Sequence, residues 1–341
     1  MGDYKSLNKM NQSLLKQILK HPQSFLSTQK KYNQEQEDKA NGVAVVTPPA
    51  FVFGAAVDHM LTEDIPFEDV FYVMDSNKKP SETMMAIVNT VFNEYKSNGN
   101  LIDHQVAILE VCARLDYQSR WKPDTKCAKV VEDGSAYFKV LQESANMTIL
   151  SKEEYDLAVI ATAALKSDEY TGYFLKASKT VEIIKKPIFE FEFQGVEFKG
   201  EGDLITIDHK IKTIFPLDIK TIGGDVMMFQ SNFWKFRYDF QAAFYTKGCE
   251  SHPQVKKLLG EGYKLAPFKF LVVEKDCVKR PMVYSVPHEV LKIGQLGGTL
   301  SNGKLTEGIV SAVKRYKYHM ENNKWEYPME YYLNGEMCLE I

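Results

Sequence analysis

The chain has 341 residues, of which 44% are apolar and 26% are charged, and its formal net charge is −3. This length is enough to bury a full core as one large α/β domain, and the composition argues against a disordered or fibrous protein. The charge gives no overall nucleic-acid signature, although a nuclease needs only a local basic path beside an acidic site.

The cysteines and the hydropathy pattern limit the class of protein further. The five cysteines are scattered and form no C-x-x-C pair, so we expect reduced thiols in a cytoplasmic protein, with no disulfide framework and no zinc ribbon. The N-terminal stretch is polar, which predicts no secretory signal. No apolar run approaches the roughly 18–20 residues that a transmembrane helix needs, so no membrane association is expected.

The first half of the chain has mostly helical patterns. A short helix is expected to end before Pro22, and the polar residues 32–42 predict a loop. The Thr-Pro-Pro segment at 47–49 then predicts the start of a second helix. We expect residues 1–180 to form a helical N-terminal portion packed on a core at 181–341, as one integrated domain.

The second half carries the strand patterns. Alternation and β-branching predict strands over residues 180–192 and 196–208. The Asp-His-Lys segment at 208–210 has the composition of a turn. Residues 211–221 predict a further strand, which is bent or locally unpaired at Pro216 because proline has no N–H to donate.

A hairpin with its turn at 209–211 brings acidic residues from both strands together. In that register Asp203 lies close to opposite Asp218, and Asp218 and Lys220 share a face because side chains alternate along a strand. Two neighbouring carboxylates repel each other unless a divalent cation lies between them. The pattern therefore predicts a metal-assisted phosphodiesterase site, in which Lys220 orients or deprotonates the attacking water. Glu201 is either a further acidic group of this site or a solvent-facing strand residue.

The next helix is predicted over residues 231–247. It places Trp234, Tyr238, Gln241 and Tyr245 on one stripe. A buried amide needs hydrogen-bond partners, so Gln241 in this stripe indicates a functional residue. Tyr245 fits either a functional role or a packed aromatic.

Three short motifs of this segment suggest a family. They are G-x-x-D at Gly200 and Asp203, D-I-K at 218–220, and Q-x-x-x-Y at 241–245. D-x-K alone occurs by chance in many chains, but the combination resembles the PD-(D/E)XK nucleases. Within them it is similar to the RecB-type branch, in particular to the RecE/YqaJ-like phage and prophage exonucleases. The resemblance implies an α/β (α+β) fold, with a central mixed β-sheet and flanking helices in a restriction-endonuclease-like core.

The resemblance also implies a metal site. The expected ion is Mg²⁺, with Mn²⁺ as an alternative, and the expected ligands are Asp58, Asp203, Asp218 and the backbone C=O of Ile219. RecB-type nucleases carry a G-x-x-x-H or G-x-x-x-E helix whose last residue helps to bind the metal. Here Asp58 follows Gly54 at that spacing, and His59 comes one position later. A carboxylate suits these hard ions, so we prefer Asp58, with His59 or neither residue as the alternatives.

The remaining roles are implied in the same way. Lys220 would position the water or stabilise charge in the transition state, while Gln241 and Tyr245 would hold the phosphate. Some RecB-type nucleases carry an iron–sulfur cluster held by a C-terminal cysteine group. The sequence contains no such group, so no cluster is expected.

The implied reaction is 5′→3′ digestion of double-stranded DNA ends. The exposed 3′ strand would pass to a single-strand annealing protein for phage-type recombination, in the cytoplasm of a bacterial host or phage-infected cell. Related exonucleases form rings around DNA, so a homo-oligomer is expected. The alternatives are an endonuclease or a nuclease of opposite polarity on the same core, or a non-catalytic DNA-binding protein that retains the fold.

Overall fold

Helices and strands follow one another through the residues that the computed structural model describes, which are 9–40, 49–76, 79–95, 99–144, 147–300 and 303–337. The α-helices of these ranges are α1 (Gln12–Ile18), α2 (Pro22–Ala40), α3 (Pro49–Thr62), α4 (Glu82–Tyr95), α5 (Gln105–Arg114), α6 (Pro123–Glu143), α7 (Lys152–Ser167), α8 (Phe229–Lys235), α9 (Tyr238–Ser251), α10 (Pro253–Gly260), α11 (His288–Leu296), α12 (Ile309–Asn322) and α13 (Met329–Asn334). None of them is long and apolar enough to cross a lipid bilayer.

The strands of the described ranges complete the inventory. They are β1 (Phe71–Val73), β2 (Thr148–Leu150), β3 (Val181–Lys185), β4 (Ile188–Phe193), β5 (Val196–Glu201), β6 (Leu204–Asp208), β7 (Thr213–Ile222), β8 (Lys264–Leu265), β9 (Lys269–Glu274), β10 (Met282–Ser285), β11 (Gly298–Thr299) and β12 (Leu305–Thr306).

The largest sheet has six strands with mixed directions. Its order is β10-β9-β7-β6-β3, and β8 also pairs with β7. Both β8 and β9 run parallel to β7, whereas the other neighbours are antiparallel. The predicted fold class, a mixed sheet with flanking helices, is therefore confirmed.

The β6–β7 hairpin has the predicted register. Leu204 pairs with Leu217, and Asp208 pairs with Thr213. Asp208 builds the turn, because its Oδ1 accepts hydrogen bonds from the backbone N–H groups of Lys210 at 2.8 Å and of the following residue at 3.2 Å. Such side-chain-to-backbone bonds are the reason that Asp favours turns.

Pro216 lies inside β7, where it pairs with Ile205 of β6. The C=O of Ile214 accepts a hydrogen bond from the N–H of Ala266 at 2.8 Å, so the even-numbered residues of β7 direct their backbone groups away from β6. On the side away from β6, β7 pairs with β8 up to Ile214 and with β9 from Leu217 onwards. The missing N–H of Pro216 falls between the two partners, which confirms the predicted local unpairing.

The two strands expected before the hairpin are each divided. Residues 180–192 form β3 and β4 with a break at Lys186, and residues 196–208 form β5 and β6 with a break at Gly202. The strands β3 and β6 join the large sheet, whereas β4 and β5 pair with each other in a separate sheet. The prediction of two continuous strands is wrong because long-range pairing, which alternation does not encode, decides the partner of each segment.

Helix α9 packs on the β4–β5 sheet through aromatic residues. The Phe244 ring centroid lies 5.1 Å from that of Phe191 and 5.6 Å from that of Phe198. Phe198, Phe240 and Phe244 are fully buried, and each such side chain contributes about 1.5–3 kcal/mol to folding. This packing fixes the helix that carries Gln241.

The chain forms two compact units. The sheet unit comprises Met1–Asn33, Leu61–Glu63 and Ala161–Ile341, and the helical unit comprises Gln34–Met60 and Asp64–Ile160. The sheet unit thus includes α1, which the sequence analysis assigned to the helical N-terminal portion.

Main-chain pairing explains why the start of the chain belongs to the sheet unit. The Met10 N–H donates to the C=O of Glu197 at 3.1 Å, and the Lys199 N–H donates to the C=O of Met10 at 2.8 Å. The N-cap Asn11 follows directly, and its Oδ1 accepts from the Leu14 N–H at 2.8 Å. Together, these bonds place the start of α1 beside β5.

The helical unit has a core of its own around α4, α5 and α6. A Cβ on Gly134 of α6 would lie 2.7 Å from Cγ2 of Val88, so glycine allows the close approach of α4 and α6. The prediction of a loop over residues 32–42 is wrong for residues 32–40, because α2 continues through this polar stretch. Residues 41, 42, 47 and 48 lie outside the described residues.

Candidate active site

Asp203 lies directly before the last pair of the hairpin, at the start of β6. Its Oδ2 accepts a hydrogen bond from the backbone N–H of Ile219 at 2.7 Å. This contact joins Asp203 to the D-I-K segment across the hairpin. The structure therefore brings together the two acidic motifs that the sequence analysis paired.

Asp218 lies on β7, and its side chain is only 4% exposed. Its Oδ1 accepts a hydrogen bond from Gln241 Nε2 at 2.7 Å, and its Oδ2 lies 2.5 Å from Lys220 Nζ. The predicted placement of Asp218 and Lys220 on one face is confirmed. One carboxylate thus contacts an ammonium of its own strand and an amide of α9.

Lys220 lies over aromatic rings beside Asp218. Its Nζ is 5.2 Å from the ring centroid of Tyr238 and 5.9 Å from that of Phe270. Burial lowers the pKa of Lys220, but the negative charges of Asp218 and Asp203 outweigh burial and raise the pKa above its ordinary value. In this arrangement Lys220 is a stable ammonium.

A second lysine, Lys186, contacts the other carboxylate, and the sequence analysis missed it. Its Nζ lies 3.4 Å from Asp203 Oδ1, and its backbone N–H donates to the C=O of Asp203 at 3.0 Å. Lys186 has a positive φ of 45° at the break between β3 and β4. The local signal for this break was Pro187, because proline interrupts strand pairing.

The prediction of one continuous helix over residues 231–247 is wrong in its first part. The structure has two helices, α8 and α9, separated at Arg237, which adopts a left-handed conformation with φ of 59°. The guanidinium of Arg237 holds this break: it binds both carboxylate oxygens of the fully buried Asp239, at 2.9 and 3.0 Å, and donates to the C=O of Glu307. Trp234 therefore lies on a different helix from Gln241.

Tyr245 lies one turn after Gln241 on α9, as predicted. Its ring centroid lies 6.2 Å from that of Phe189, 5.9 Å from that of Phe244 and 6.5 Å from that of Phe268. The packing role of Tyr245 is therefore present in the structure, while its role towards phosphate stays a prediction.

Gly200 lets β5 approach α9 closely. A Cβ at this position would lie 3.2 Å from Phe244, 3.3 Å from Tyr245 and 3.4 Å from Phe189. Any side chain here would press against these rings. This close approach is a physical reason for the glycine in the G-x-x-D motif.

The comparison with protein families gives one match that covers this geometry. Residues 11–296 match the family described as "PDDEXK-like domain of unknown function (DUF3799)". The chain belongs to this family. The matched range includes the β6–β7 hairpin and α9, so the recognition of a PD-(D/E)XK-type core is confirmed.

Two solved structures are similar to this PDDEXK-like chain. The first is described as "Putative exonuclease" from Eubacterium rectale; it is 15% identical, with 76% of this chain and 93% of that chain covered and a TM-score of 0.35. The second is the crystal structure of SSO0001, at 10% identity, with 86% and 98% covered and a TM-score of 0.23. No curated protein matches the chain.

The PDDEXK-like core offers oxygen ligands for a divalent cation at one place. The C=O of Ile222 accepts from the Lys275 N–H on the β9 side, so Ile219 directs its backbone groups to the opposite side, towards Asp203. The Ile219 carbonyl and the carboxylates of Asp203 and Asp218 are hard oxygen donors that fit Mg²⁺ or Mn²⁺. In the described ranges, no three or more His, Cys, Asp or Glu side chains cluster as a metal site. Carbonyl and water ligands would therefore have to complete the coordination.

Glu201 does not share a strand with Asp203. It ends β5, where it pairs with Ile188 of β4, and the break at Gly202 separates it from β6. Alternation along a single strand therefore does not place Glu201 on the same face as Asp203.

The two alternative helix ligands lie on α3. Asp58 is half-buried, whereas His59 is 7% exposed. His59 Nε2 donates to the C=O of Ile65 at 2.9 Å, and its ring packs edge-on against Phe67 and Phe71. His59 thus has a structural role in the helical unit. The assignment of Asp58 as a metal ligand stays a prediction.

Lys16 is a further basic group that the sequence analysis missed. It lies on α1, and its Nζ donates to the C=O of Phe236 at 3.1 Å. Burial, followed by the positive charges of Lys20, Arg237 and Lys220, lowers the pKa of Lys16. No local pattern marks this residue, because it reaches the site only through the docking of α1 on β5.

Proposed function

We propose that the protein is a metal-dependent DNA exonuclease that hydrolyses phosphodiester bonds. The observation that carries the proposal is the set of contacts around Asp218, whose carboxylate meets both Lys220 and Gln241. A purely structural ion pair would not need the Gln241 amide. It would also not need the second carboxylate, Asp203, which accepts a hydrogen bond from the Ile219 N–H. Membership of a PDDEXK-like family supports the nuclease class.

The residues of the site suit the steps of phosphodiester hydrolysis. Asp203, Asp218 and the Ile219 carbonyl would hold a divalent ion, which when bound supplies Lewis-acid activation of the phosphate and of water. Gln241 fixes the orientation of the Asp218 carboxylate through its 2.7 Å hydrogen bond. Lys220, as an ammonium, would stabilise negative charge that develops on the phosphate oxygens and orient the attacking water.

Basic groups beside the site favour a polyanionic substrate. Lys16 lies near Lys20, Arg237 and Lys220, whose positive charges lower the pKa of Lys16. Arg237 is neutralised by Asp239 and Lys220 by Asp218, whereas Lys16 donates a hydrogen bond to the backbone carbonyl of Phe236. A phosphate group would relieve the mutual repulsion of these charges. This local basic region supports DNA binding despite the net charge of −3.

The finer parts of the proposal rest on the resemblance of the motifs. They are Mg²⁺ as the ion, Asp58 as a further ligand, 5′→3′ resection of linear duplex ends, a single-strand annealing partner in recombination, and a homo-oligomeric assembly. An endonuclease, or an exonuclease of opposite polarity, would use the same residues. A non-catalytic DNA-binding protein would have no need for the Asp218–Lys220–Gln241 arrangement.

Digestion of a linear duplex labelled separately at its 5′ and 3′ ends tests this function. Early, Mg²⁺-dependent release of the 5′ label is the expected result, with a closed circle of the same sequence left intact. Early release of the 3′ label would reverse the polarity, and cleavage of the circle would change the function to an endonuclease. DNA binding without cleavage of any substrate would support the non-catalytic alternative.

A further inference from the structure

Tyr238 lies beside the candidate site, at the first position of α9. Its ring centroid is 5.2 Å from Nζ of Lys220. The ring of Phe270, a fully buried core residue, lies farther from this ammonium, at 5.9 Å. A cation within about 6 Å of a ring centroid is attracted by the quadrupole of the ring. Tyr238 therefore presents the nearer of two aromatic rings to the charge of Lys220.

The first turn of α9 contacts both members of the Asp218–Lys220 ion pair. Gln241 donates to Asp218 at 2.7 Å, and Tyr238, three positions before Gln241, lies next to Lys220. Residues three apart are neighbours on one face of a helix. Asp218 and Lys220 are two apart on β7 and share one face of the sheet. The helix thus places an amide on the carboxylate and a ring on the ammonium.

The position of Tyr238 is fixed from several sides. Arg237, directly before it, has φ of 59°, and its guanidinium binds both carboxylate oxygens of the fully buried Asp239, directly after it. The Tyr238 ring stacks on Phe229 at 5.6 Å and lies 5.5 Å from the ring of Phe270. Because both its backbone and its ring are held, Tyr238 offers the neighbouring lysine a fixed surface.

Lys220 needs such a support because a lysine ammonium sits on a flexible stem whose fixation costs much conformational entropy. Asp218 Oδ2, at 2.5 Å, takes one of the N–H donors of this ammonium. The ring of Tyr238 attracts the charge itself, and at 5.2 Å it takes no directed hydrogen bond. The side chain of Lys220 is 20% exposed, so its position is held while it keeps donors for a water or a phosphate oxygen.

We propose that Tyr238 is a positioning residue for phosphodiester hydrolysis, whose ring holds the ammonium of Lys220 beside Asp218 in the orientation that the reaction needs. The inference rests on the proposed function for the reaction, whereas the contact between the ring and the ammonium does not. The role belongs to the aromatic ring and not to the hydroxyl group. This distinguishes Tyr238 from a residue that would bind the substrate through its Oη, and from one that only fills space.

The first measurement is the kcat and KM of the full chain for cleavage of a linear duplex in Mg²⁺. Tyr238→Phe keeps the ring and is expected to keep kcat within about twofold of the wild-type value. Tyr238→Leu removes the ring and should lower kcat by about five- to thirtyfold, the factor expected for a partly desolvated cation–π contact. KM should change little, because Lys220 acts on charge that develops in the transition state.

The control variants separate the ring from its packing. para-Cyanophenylalanine in place of Tyr238 keeps the size of the ring but withdraws electrons from its face, so kcat should fall between the values of the Phe and Leu variants. This chain also decides the question if Tyr238→Leu does not fold. Phe233→Leu is the matched control, since it removes a ring that packs on Tyr238 and Phe270.

Three outcomes would overturn the proposal. In the first, the Phe and cyanophenylalanine chains have equal kcat values. In the second, Tyr238→Leu is no slower than Phe233→Leu, so that the ring contributes only packing. In the third, Tyr238→Phe loses as much activity as Tyr238→Leu, which would assign the role to the hydroxyl group.

The second measurement does not depend on cleavage. The ring current of an aromatic ring displaces the NMR signal of a lysine ε-methylene group that lies over its face. In chains labelled on lysine, the Lys220 signal is identified by its absence in Lys220→Arg. It should be displaced in the wild-type chain and in Tyr238→Phe, and should move towards the signals of exposed lysines in Tyr238→Leu.

The NMR comparison separates the failure of this inference from the failure of the proposed function. If the wild-type chain cleaved no DNA, the proposed function would be wrong, and the Lys220 signal would still decide whether Tyr238 holds the ammonium. An unchanged Lys220 signal in Tyr238→Leu would refute the contact and with it the positioning role.

Discussion

The amide of Gln241 donates from Nε2 to Asp218 Oδ1 over 2.7 Å and so joins α9 to β7 at the candidate site. Hydrogen bonds of this kind orient a metal-binding carboxylate, and their loss typically costs about 10–100-fold in metal affinity or activity. We therefore expect Gln241→Met to lower nuclease activity within this range and to raise the Mg²⁺ concentration needed for half-maximal rate. Titration of the cleavage rate with Mg²⁺ measures both effects. A variant with wild-type activity at every Mg²⁺ concentration would show that Gln241 has no such role.

The two candidates on α3 should behave differently. Asp58→Ala is expected to weaken the response of activity to Mg²⁺, with little change in the free energy of unfolding. His59→Ala should instead destabilise the helical unit by about 1–3 kcal/mol, because it removes the hydrogen bond to Ile65 and buried aromatic packing. Urea unfolding and Mg²⁺ titration on both variants separate the effects. If His59→Ala gave the larger loss of metal dependence, the helix ligand would be His59.

The Asp208 carboxylate should make stability depend on acid pH. Burial raises its pKa, but hydrogen bonds from Tyr173 Oη and from the backbone N–H groups of Ile211 and Lys210 outweigh burial and lower the pKa below its ordinary value. The stabilisation is therefore complete above the unfolded pKa of about 4, and is lost as the pH falls through the lower folded pKa. The same carboxylate, with burial as the larger cause, raises the pKa of Tyr173 to about 12.

Asp208→Asn provides the test of this linkage. At pH 7 it is expected to lower the free energy of unfolding by about 1–3 kcal/mol, because the charge-assisted hydrogen bonds of the turn are weakened. The difference from the wild-type chain should shrink below about pH 4, where the wild-type carboxylate takes up its proton. Urea unfolding at a series of pH values measures it. A difference that stayed constant down to pH 2 would contradict the role of the charge.

Gly294 lies at a close contact between α11 and α9. A Cβ at this position would lie 2.1 Å from the backbone oxygen of Asp239 and 3.0 Å from Cβ of Ala243. Gly294→Ala must therefore push the two helices apart, and we expect it to cost about 1–3 kcal/mol of stability. Gly223→Ala is the control, since a Cβ there meets no atom within 4 Å. Equal stability of the two variants in urea unfolding would show that the helices do not pack this closely.

The local chemistry of the sequence was enough to predict the hairpin at the site. The Asp208 turn set the register, and alternation along β7 placed Asp218 and Lys220 on one face. Helical spacing likewise placed Gln241 and Tyr245 one turn apart on α9.

The features that were missed depend on distant partners. The break between α8 and α9 is held by the bonds of Arg237 to Asp239 and to the carbonyl of Glu307, seventy positions later in the chain. The strands β5 and β6 are separate because β5 pairs with β4, whereas β6 pairs with β3 in the large sheet. Lys16 reaches the site only because Met10 pairs beside β5. None of these partners is visible in a local window, which is why propensity and alternation failed there.

Cleavage of a linear duplex by the wild-type chain and by Asp218→Asn tests the central claim most directly. The substitution keeps the shape of a side chain that is only 4% exposed and removes its charge, and Asp276→Asn serves as the exposed control. We predict Mg²⁺-dependent cleavage by the wild-type and control chains, abolition by EDTA, and a loss of at least about 100-fold in Asp218→Asn. Full activity in a folded Asp218→Asn variant, or cleavage that persists in EDTA, would contradict the assignment of this site.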